Sequence, residues 1–327
     1  MSRRQPLPLT VIGGFLGAGK TTLLNHWLRH AGGQRLAVLV NDFGALNIDA
    51  ALISANAGDT IALTNGCVCC QIGDDLSLAL IKVLDSGVAF DGVVIEASGV
   101  SDPWRIAELG RADPGLRLDA VIVLVDASVA QAQSVDPLLA DTLVRQLKAA
   151  DLVVVNKCDL VTTEERQALR RWVDAVAGPV PQIEATQAVV PLALLSALAL
   201  QCAGDAQTHA GCDHDHSAHT DHGAMFDTWS CQAQQVFDAS ALRAWLRSPP
   251  PGLLRLKGVL RTAQADGQIL WSELQFAGRH GSLRALAADA APPSSGAVVA
   301  IGLRGQLPVA ALDAVLRSAP APRYSPS

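Results

Sequence analysis

Over the first two hundred residues, short runs of consecutive apolar residues alternate with longer stretches in which apolar positions recur every three or four. The short runs are Leu9–Ile12, Leu36–Val40, Thr60–Leu63, Val93–Ile95, Ala120–Val125 and Leu152–Val155. Several are almost pure Val, Ile and Leu, which fits strands buried on both faces better than strands with one wet face. Lys20–His30, Asp74–Leu84, Pro137–Ala149, Glu164–Ala177 and Pro191–Leu200 carry the helical spacing. Strand and helix in alternation predict an α/β fold, a mainly parallel sheet wrapped by helices.

The alternation stops at Gly204. From there to Gly223 the chain reads GDAQTHAGCDHDHSAHTDHG, with five of the eight histidines and no apolar period, as in a solvated linker. A second pattern starts at Met225. Strands are expected at Phe226–Cys231, Leu253–Arg261, Gln268–Phe276 and Ala297–Leu303, and helices at Ser240–Arg247 and Val309–Ser318, with Asp266-Gly267 as a hairpin turn. The expected organisation is a larger α/β domain over 1–203, a His-rich linker over 204–224, a smaller α+β domain over 225–320 and a tail over 321–327.

Composition narrows the classes. The chain has 327 residues, half of them hydrophobic, enough for a large core and too much for global disorder. Its net charge of −6 argues against a general nucleic-acid or anionic-membrane binder. The balance is uneven, −10 over residues 1–224 and +4 over 225–327. No apolar run approaches the roughly 20 residues of a membrane helix. Arg3-Arg4 before Leu7–Phe15 imitates a secretory leader, but the run is short, holds Pro8 and leads straight into glycines, so it reads as strand. Three of the seven cysteines fall within four residues, which fits metal or thiol chemistry in a reducing cytoplasm better than a disulfide framework.

Gly14-Phe15-Leu16-Gly17-Ala18-Gly19-Lys20-Thr21 satisfies G-x-x-x-x-G-K-[ST] between an expected strand and an expected helix. Glycine backbones there can wrap a phosphate chain with their N–H groups, at the positive end of the following helix. In such a P-loop NTPase Lys20 would bridge the β- and γ-phosphates and Thr21, with Thr22 beside it, would present a hydroxyl to Mg²⁺. Glu96-Ala97-Ser98-Gly99 follows the strand Val93–Ile95. Glu96 is placed for the Mg²⁺ shell and catalysis, and Gly99 for an N–H to the γ-phosphate. Asn156-Lys157-Cys158-Asp159 follows the strand Leu152–Val155. The Asp159 carboxylate can accept from both N1–H and N2–H of guanine, which adenine does not offer, so the expected nucleotide is GTP. Asp42 and Asp49, after the second strand, are candidate Mg²⁺ or second-metal ligands.

Gly66-Cys67-Val68-Cys69-Cys70 places three thiols in one turn after Thr60–Leu63. Thiolates suit Zn²⁺, Cu⁺ or Co²⁺, and three of them leave a coordination position open, so the ion can be passed on. His209, His214, His216, His219 and His222 stand among Cys212 and three aspartates, spacings suited to loose, exchangeable chelation.

GGFLGAGKTT, NDFGALNID, NGCVCCQ, EASGVSDP and NKCD together resemble, in order and spacing, the CobW-type GTPases, metal-trafficking relatives of the urease and hydrogenase maturation GTPases. LLRLKGVLRT around Lys257 is similar to the diagnostic strand of that family's C-terminal domain. The resemblance implies Mg²⁺-dependent GTP hydrolysis coupled to delivery of a transition metal, most often zinc, to a client protein, with Cys67, Cys69 and Cys70 as the metal site. The chain departs from the family at four positions in two motifs. The loop usually written N-E-F-G-E-x-G-I-D has Asp42, Ala45 and Asn47 at its two acids and its second glycine, and Cys158 replaces the more usual Thr of N-K-x-D.

The expected mechanism links nucleotide and metal. GTP would order the loops around Asp42 and Glu96–Ser101, which flank the cysteine turn in sequence, and hydrolysis would release them. No glutamine or arginine stands out to position water, so intrinsic turnover is expected to be slow and stimulated by metal or client. The expected partners are guanine nucleotide and a client metalloprotein, with homo-oligomerisation left open and neither nucleic acid nor membrane involved. Cobalt cargo for cobalamin assembly, and a metal buffer with regulatory GTP binding, remain as alternatives.

Overall fold

The computed structural model describes residues 6–31, 33–40, 61–64, 74–195, 226–278, 280–286 and 295–317. The chain divides into two compact units, residues 4–199 and residues 200–327, with the first three residues grouped with the second.

The larger unit is built on seven strands: β1 (Leu7–Gly14), β2 (Leu36–Val40), β3 (Ile61–Thr64), β4 (Gly92–Glu96), β5 (Leu116–Asp126), β6 (Leu152–Asn156) and β7 (Gln182–Glu184). They pair in the order β3-β2-β4-β1-β5-β6-β7, and every pairing is parallel. Each crossover therefore needs a connection over a face of the sheet. Among the described residues these are supplied by α1 (Lys20–Arg29), α2 (Asp74–Asp85), α3 (Pro103–Ala112), α4 (Ala130–Val135) with α5 (Ala140–Ala149), and α6 (Thr163–Ala177), and the short α7 (Leu192–Leu195) follows β7. Strands β2, β4 and β6 are buried along their whole length, as their unbroken apolar sequences require. The alternation of the pleat divides the core. Leu9, Val11, Val93, Ile95, Val121, Val123, Val153 and Val155 pack in one cluster with Ile106 of α3, Leu143 and Leu147 of α5 and Val173 of α6.

Several boundaries differ from the pattern expected above. The stretch Pro137–Ala149 is not one helix. The Asp136 carboxylate accepts from the Leu138 N–H at 2.8 Å, and this side-chain turn occupies Pro137–Leu139 until α5 begins at Ala140. Of Pro191–Leu200, the described helix is Leu192–Leu195, and 196–200 lie outside the described residues. Helix α3 had no expectation, although Asp102 caps it by accepting from Trp104 N–H at 3.0 Å and Pro103 opens its first turn. Helix α6 starts with a capping box, Thr162 and Glu165 each bonding the other's backbone N–H.

The second unit carries an antiparallel sheet of β8 (Phe226–Gln232), β10 (Leu253–Ala263), β11 (Ile269–Ala277), β12 (His280–Ala285) and β13 (Ala297–Leu303), ordered β12-β11-β10-β13-β8. The short β9 (Val236–Asp238) pairs parallel with β10. Helices α8 (Ala239–Arg247) and α9 (Val309–Leu316) bury Leu242, Leu246, Leu312 and Leu316 in a core with Leu256, Leu260, Leu274, Phe276 and Val298. Trp229 donates its indole N–H to Asp313 at 3.0 Å, and the Arg317 guanidinium lies 5.2 Å from its ring centroid. Among the described residues no helix is long and apolar enough to cross a membrane.

Candidate functional site

Parallel strands end on the same side, so the segments leaving β1, β4, β5, β6 and β7 gather along one edge of the sheet, outside the carboxyl ends of the strands. Register places them side by side. Ile12 pairs with Glu96, Asp126 with Asn156, and Val155 with Glu184.

The loop leaving β1 turns on three glycines at positive φ, Gly14 (+130°), Gly17 (+76°) and Gly19 (+105°), conformations a side chain would resist. It delivers Lys20 as the first residue of α1. Lys20 is 8% exposed, and its Nζ donates to the Phe15 carbonyl at 3.2 Å, which brings the ammonium back over the loop. Thr21 donates its hydroxyl to Glu96 Oε1 at 2.7 Å, and Glu96 is 2% exposed. The hydroxyl and the carboxylate thus meet at the mouth of the loop. Thr22 points outward and is exposed.

The loop leaving β4 is drawn against the first one. Ala97 N–H donates to Ile12 O at 2.8 Å, and a Cβ added at Gly99 would stand 2.5–2.7 Å from Leu16 atoms, so only glycine allows this approach. The Ser98 and Ser101 hydroxyls pair at 2.6 Å, and Gln146 of α5 donates to the carbonyls of Gly99 and Ser101, both at 3.1 Å.

The third segment leaves β6. Buried Asn156 donates Nδ2–H to the Ala18 carbonyl at 2.9 Å and accepts from Ala188 N–H at 2.8 Å. One side chain therefore joins the glycine loop to the segment leaving β7. Lys157 adopts a left-handed conformation (φ 61°), and its ammonium meets Asp126 Oδ2 at 2.6 Å. Burial alone would raise the Asp126 carboxyl. The hydrogen bonds from Lys157 and Ser128, with the Lys157 charge, outweigh it and hold the group below the ordinary carboxylate value. Cys158 is buried, its thiol donating to Val155 O at 3.1 Å, and burial pushes its pKa up. Asp159 is exposed on a single turn of 3₁₀ helix, Cys158–Leu160.

Sequence reasoning missed three contributors. Asp126 ends an apolar strand just as Glu96 does, and that parallel was a readable signal. Gln146 interrupts the apolar stripe Leu143–Leu147 of α5, a second readable signal. The segment Ala185–Ala188 carries no signal. Gln187 and Ala188 take φ of 52° and 54° without being glycine, and only tertiary contacts require it. Asp42, Asp49, Cys67, Cys69 and Cys70, with His209, His214, His216, His219 and His222, lie outside the described residues. Among the described residues no group of three His, Cys, Asp or Glu side chains could hold a metal ion.

Comparison with known proteins matches this architecture. Residues 8–184 match the model of the CobW/HypB/UreG nucleotide-binding domain, and residues 226–319 that of the cobalamin synthesis protein cobW C-terminal domain. The chain is 31% identical over 286 residues to the zinc chaperone CobW of a Sinorhizobium species, covering 77% of this chain and 80% of that protein. It is 35% identical over 198 residues to the zinc chaperone YjiA of Escherichia coli K12, covering 58% of this chain and 61% of the relative. The crystal structure of Zn(II)-bound YjiA GTPase from E. coli superposes with a TM-score of 0.45 at 25% identity, covering 96% of this chain and 100% of that one. With the first family model spanning more than half of its residues, the chain belongs to the CobW/HypB/UreG family.

Proposed function

We propose that this protein is a GTP-hydrolysing metallochaperone. It binds GTP along the edge of the parallel sheet, converts GTP and water to GDP and phosphate, and uses the nucleotide state to govern a transition metal held by Cys67, Cys69 and Cys70. The metal is most simply zinc, the ion named for the two relatives. Its destination is a client protein, and His214, His216, His219 and His222 supply weaker, exchangeable sites on the way.

One observation carries the nucleotide half of this reading. Asn156 ties the glycine loop to the strand that presents Lys157 and Asp159, so a phosphate cradle and a carboxylate suited to guanine belong to one connected framework. Gly14, Gly17, Ala18, Gly19, Lys20 and Thr21 hold the phosphates, Gly99 approaches the terminal one, and Lys157 and Asp159 take the base. Thr21 and Glu96 offer the neutral and anionic oxygens that a hard divalent cation prefers. Mg²⁺ bound there would neutralise charge developing on the β- and γ-oxygens. Lys20, close over the loop, adds a second positive charge to the same oxygens. Asp42 completes the metal-facing acids in this reading.

The guanine assignment is tested by Asp159→Asn. Xanthine carries a carbonyl where guanine carries its 2-amino group, so the amide should weaken GTP binding about a hundredfold and favour xanthosine triphosphate. Unchanged GTP affinity would remove the base assignment. The metal assignment is tested by zinc competition titration of the wild type and of the triple variant Cys67→Ala/Cys69→Ala/Cys70→Ala, each with GDP and with a non-hydrolysable GTP analogue. The wild type is expected to show a nucleotide-dependent affinity, and the triple variant neither tight binding nor that dependence. Metal analysis of the purified protein separates zinc from cobalt.

A further inference from the structure

The Glu96–Asp102 loop is gripped from behind by a side chain on another helix. Gln146 occupies a core-facing position of α5, in a stripe with Leu143, Leu147 and Ala149, and is 0% exposed. An amide is out of place there, because burying its polar atoms is unfavourable unless each finds a partner. Nε2 finds two, the carbonyls of Gly99 and Ser101, both at 3.1 Å. Oε1 is buried and has no hydrogen-bond partner among the described residues. Packing would be served better by leucine, so the two donated hydrogen bonds are what this residue contributes.

Those bonds fix one short stretch of backbone. Gly99 lies so close to Leu16 of the glycine loop that a Cβ would not fit, and its carbonyl is one of the two that Gln146 holds. The Ser98–Ser101 hydroxyl pair closes the same turn. Helix α5 ends at Ala149, and the chain passes through Ala150 and Asp151 directly into β6, whose last residue, Asn156, bonds the Ala18 carbonyl. The loop at the phosphate end is thus tied to the element that carries the base-reading segment.

We propose that Gln146 is a positioning residue that holds the Gly99 backbone at the height where its N–H meets the terminal phosphate, so that the loop tells a triphosphate from a diphosphate. The inference rests on the GTP reading above. Two variants test it, Gln146→Leu and Gln146→Met, both keeping the apolar volume and removing the donors. Calorimetry with Mg²⁺ would measure their affinities for GDP and for a non-hydrolysable GTP analogue. Hydrogen exchange would follow residues 97–103.

GDP affinity is expected to stay within about twofold, while analogue affinity and kcat fall about five- to fiftyfold. In the wild type the analogue should slow exchange over Val100–Asp102 relative to GDP, and this protection should vanish in the variants. A wild-type ratio of analogue to GDP affinity in both variants would overturn the inference. So would equal exchange in the two nucleotide states of the wild type, which is readable even if the variants fail to fold. If the wild type binds both nucleotides but the ratio survives substitution, only the role of Gln146 falls. If it binds neither, the GTP reading falls with it.

Discussion

The phosphate end and the base end of the proposed nucleotide site lie on the same sheet edge but are built by opposite means. The phosphate end obtains its backbone shape from glycine. Gly14, Gly17 and Gly19 sit at positive φ without steric cost, and Gly99 lets one loop touch another. The base end obtains similar left-handed turns from Lys157, Gln187 and Ala188, which resist them. It holds them with contacts: the Lys157–Asp126 pair, the two Asn156 hydrogen bonds, and Arg166 and Arg170 on Glu184 at 3.0 and 3.5 Å. One end is shaped by what is missing from its side chains, the other by what its side chains grip. The first should be sensitive to added atoms, the second to removed charges.

The largest effect should come from the phosphate end. Lys20→Ala removes the ammonium that reaches back over the glycine loop. Loss of a positioned donor of this kind costs about a hundred- to a thousandfold in kcat, to be read as phosphate release from GTP. Next comes an added methyl. Gly19→Ala imposes φ 105° on a side-chain-bearing residue and drives its Cβ into the Asn156 amide, so it injures both ends at once. Thermal unfolding should show a loss of about 1–3 kcal/mol. If the loss is near zero, the two ends are not joined through Asn156 as described.

The removed charges should matter less. Asp126→Asn breaks the ion pair with Lys157, itself about one-third exposed, and should cost about 1 kcal/mol in urea unfolding at neutral pH. The same residue predicts a pH dependence. Its folded pKa lies below the ordinary 3.8, so its contribution is complete above that value and is lost as pH falls through the folded pKa. The gap between wild type and Asp126→Asn should therefore close in acid, below about pH 4. Smallest of all, Glu184→Gln removes two partly exposed ion pairs worth about 0.5 kcal/mol together, and the loss should shrink further in high salt. A larger effect, or one that raises ATP binding relative to GTP, would mark Glu184 as part of base selection.

The same contrast explains which parts could be read from the residues alone. Glycine in a fixed spacing before Lys20-Thr21 is a signal because glycine takes those angles without the steric cost a side chain would add. Strands β1 to β6 announced themselves through apolar runs rich in Val, Ile and Leu, since a sheet covered on both faces leaves no room for polar alternation, whereas β7, only Gln182–Glu184, carries no such run and went unread. Helix α3 went unread because Trp104, Ile106 and Ala107 make a short apolar face, despite the Asp102-Pro103 start. The break before α5 was hidden because Asp136 ends α4 with a side-chain bond rather than with a glycine. At the proposed base end the motif placed Asp159 just after β6, where the structure has it, whereas the Ala185–Ala188 turn gave no signal, since its angles come from neighbours distant in sequence. In Gln146 the departure from the amphipathic pattern was visible, but its cause was a loop more than forty residues earlier.

The sealed thiol of Cys158 offers a way to watch the base end at work. Locked onto the Val155 carbonyl and made less acidic by burial, it should shrug off an alkylating reagent such as iodoacetamide while the β6 terminus stays closed. Its labelling rate, followed by mass spectrometry on the Cys158 peptide, then becomes a stopwatch for spontaneous opening at that corner of the sheet, and any bound guanosine compound should slow the hand.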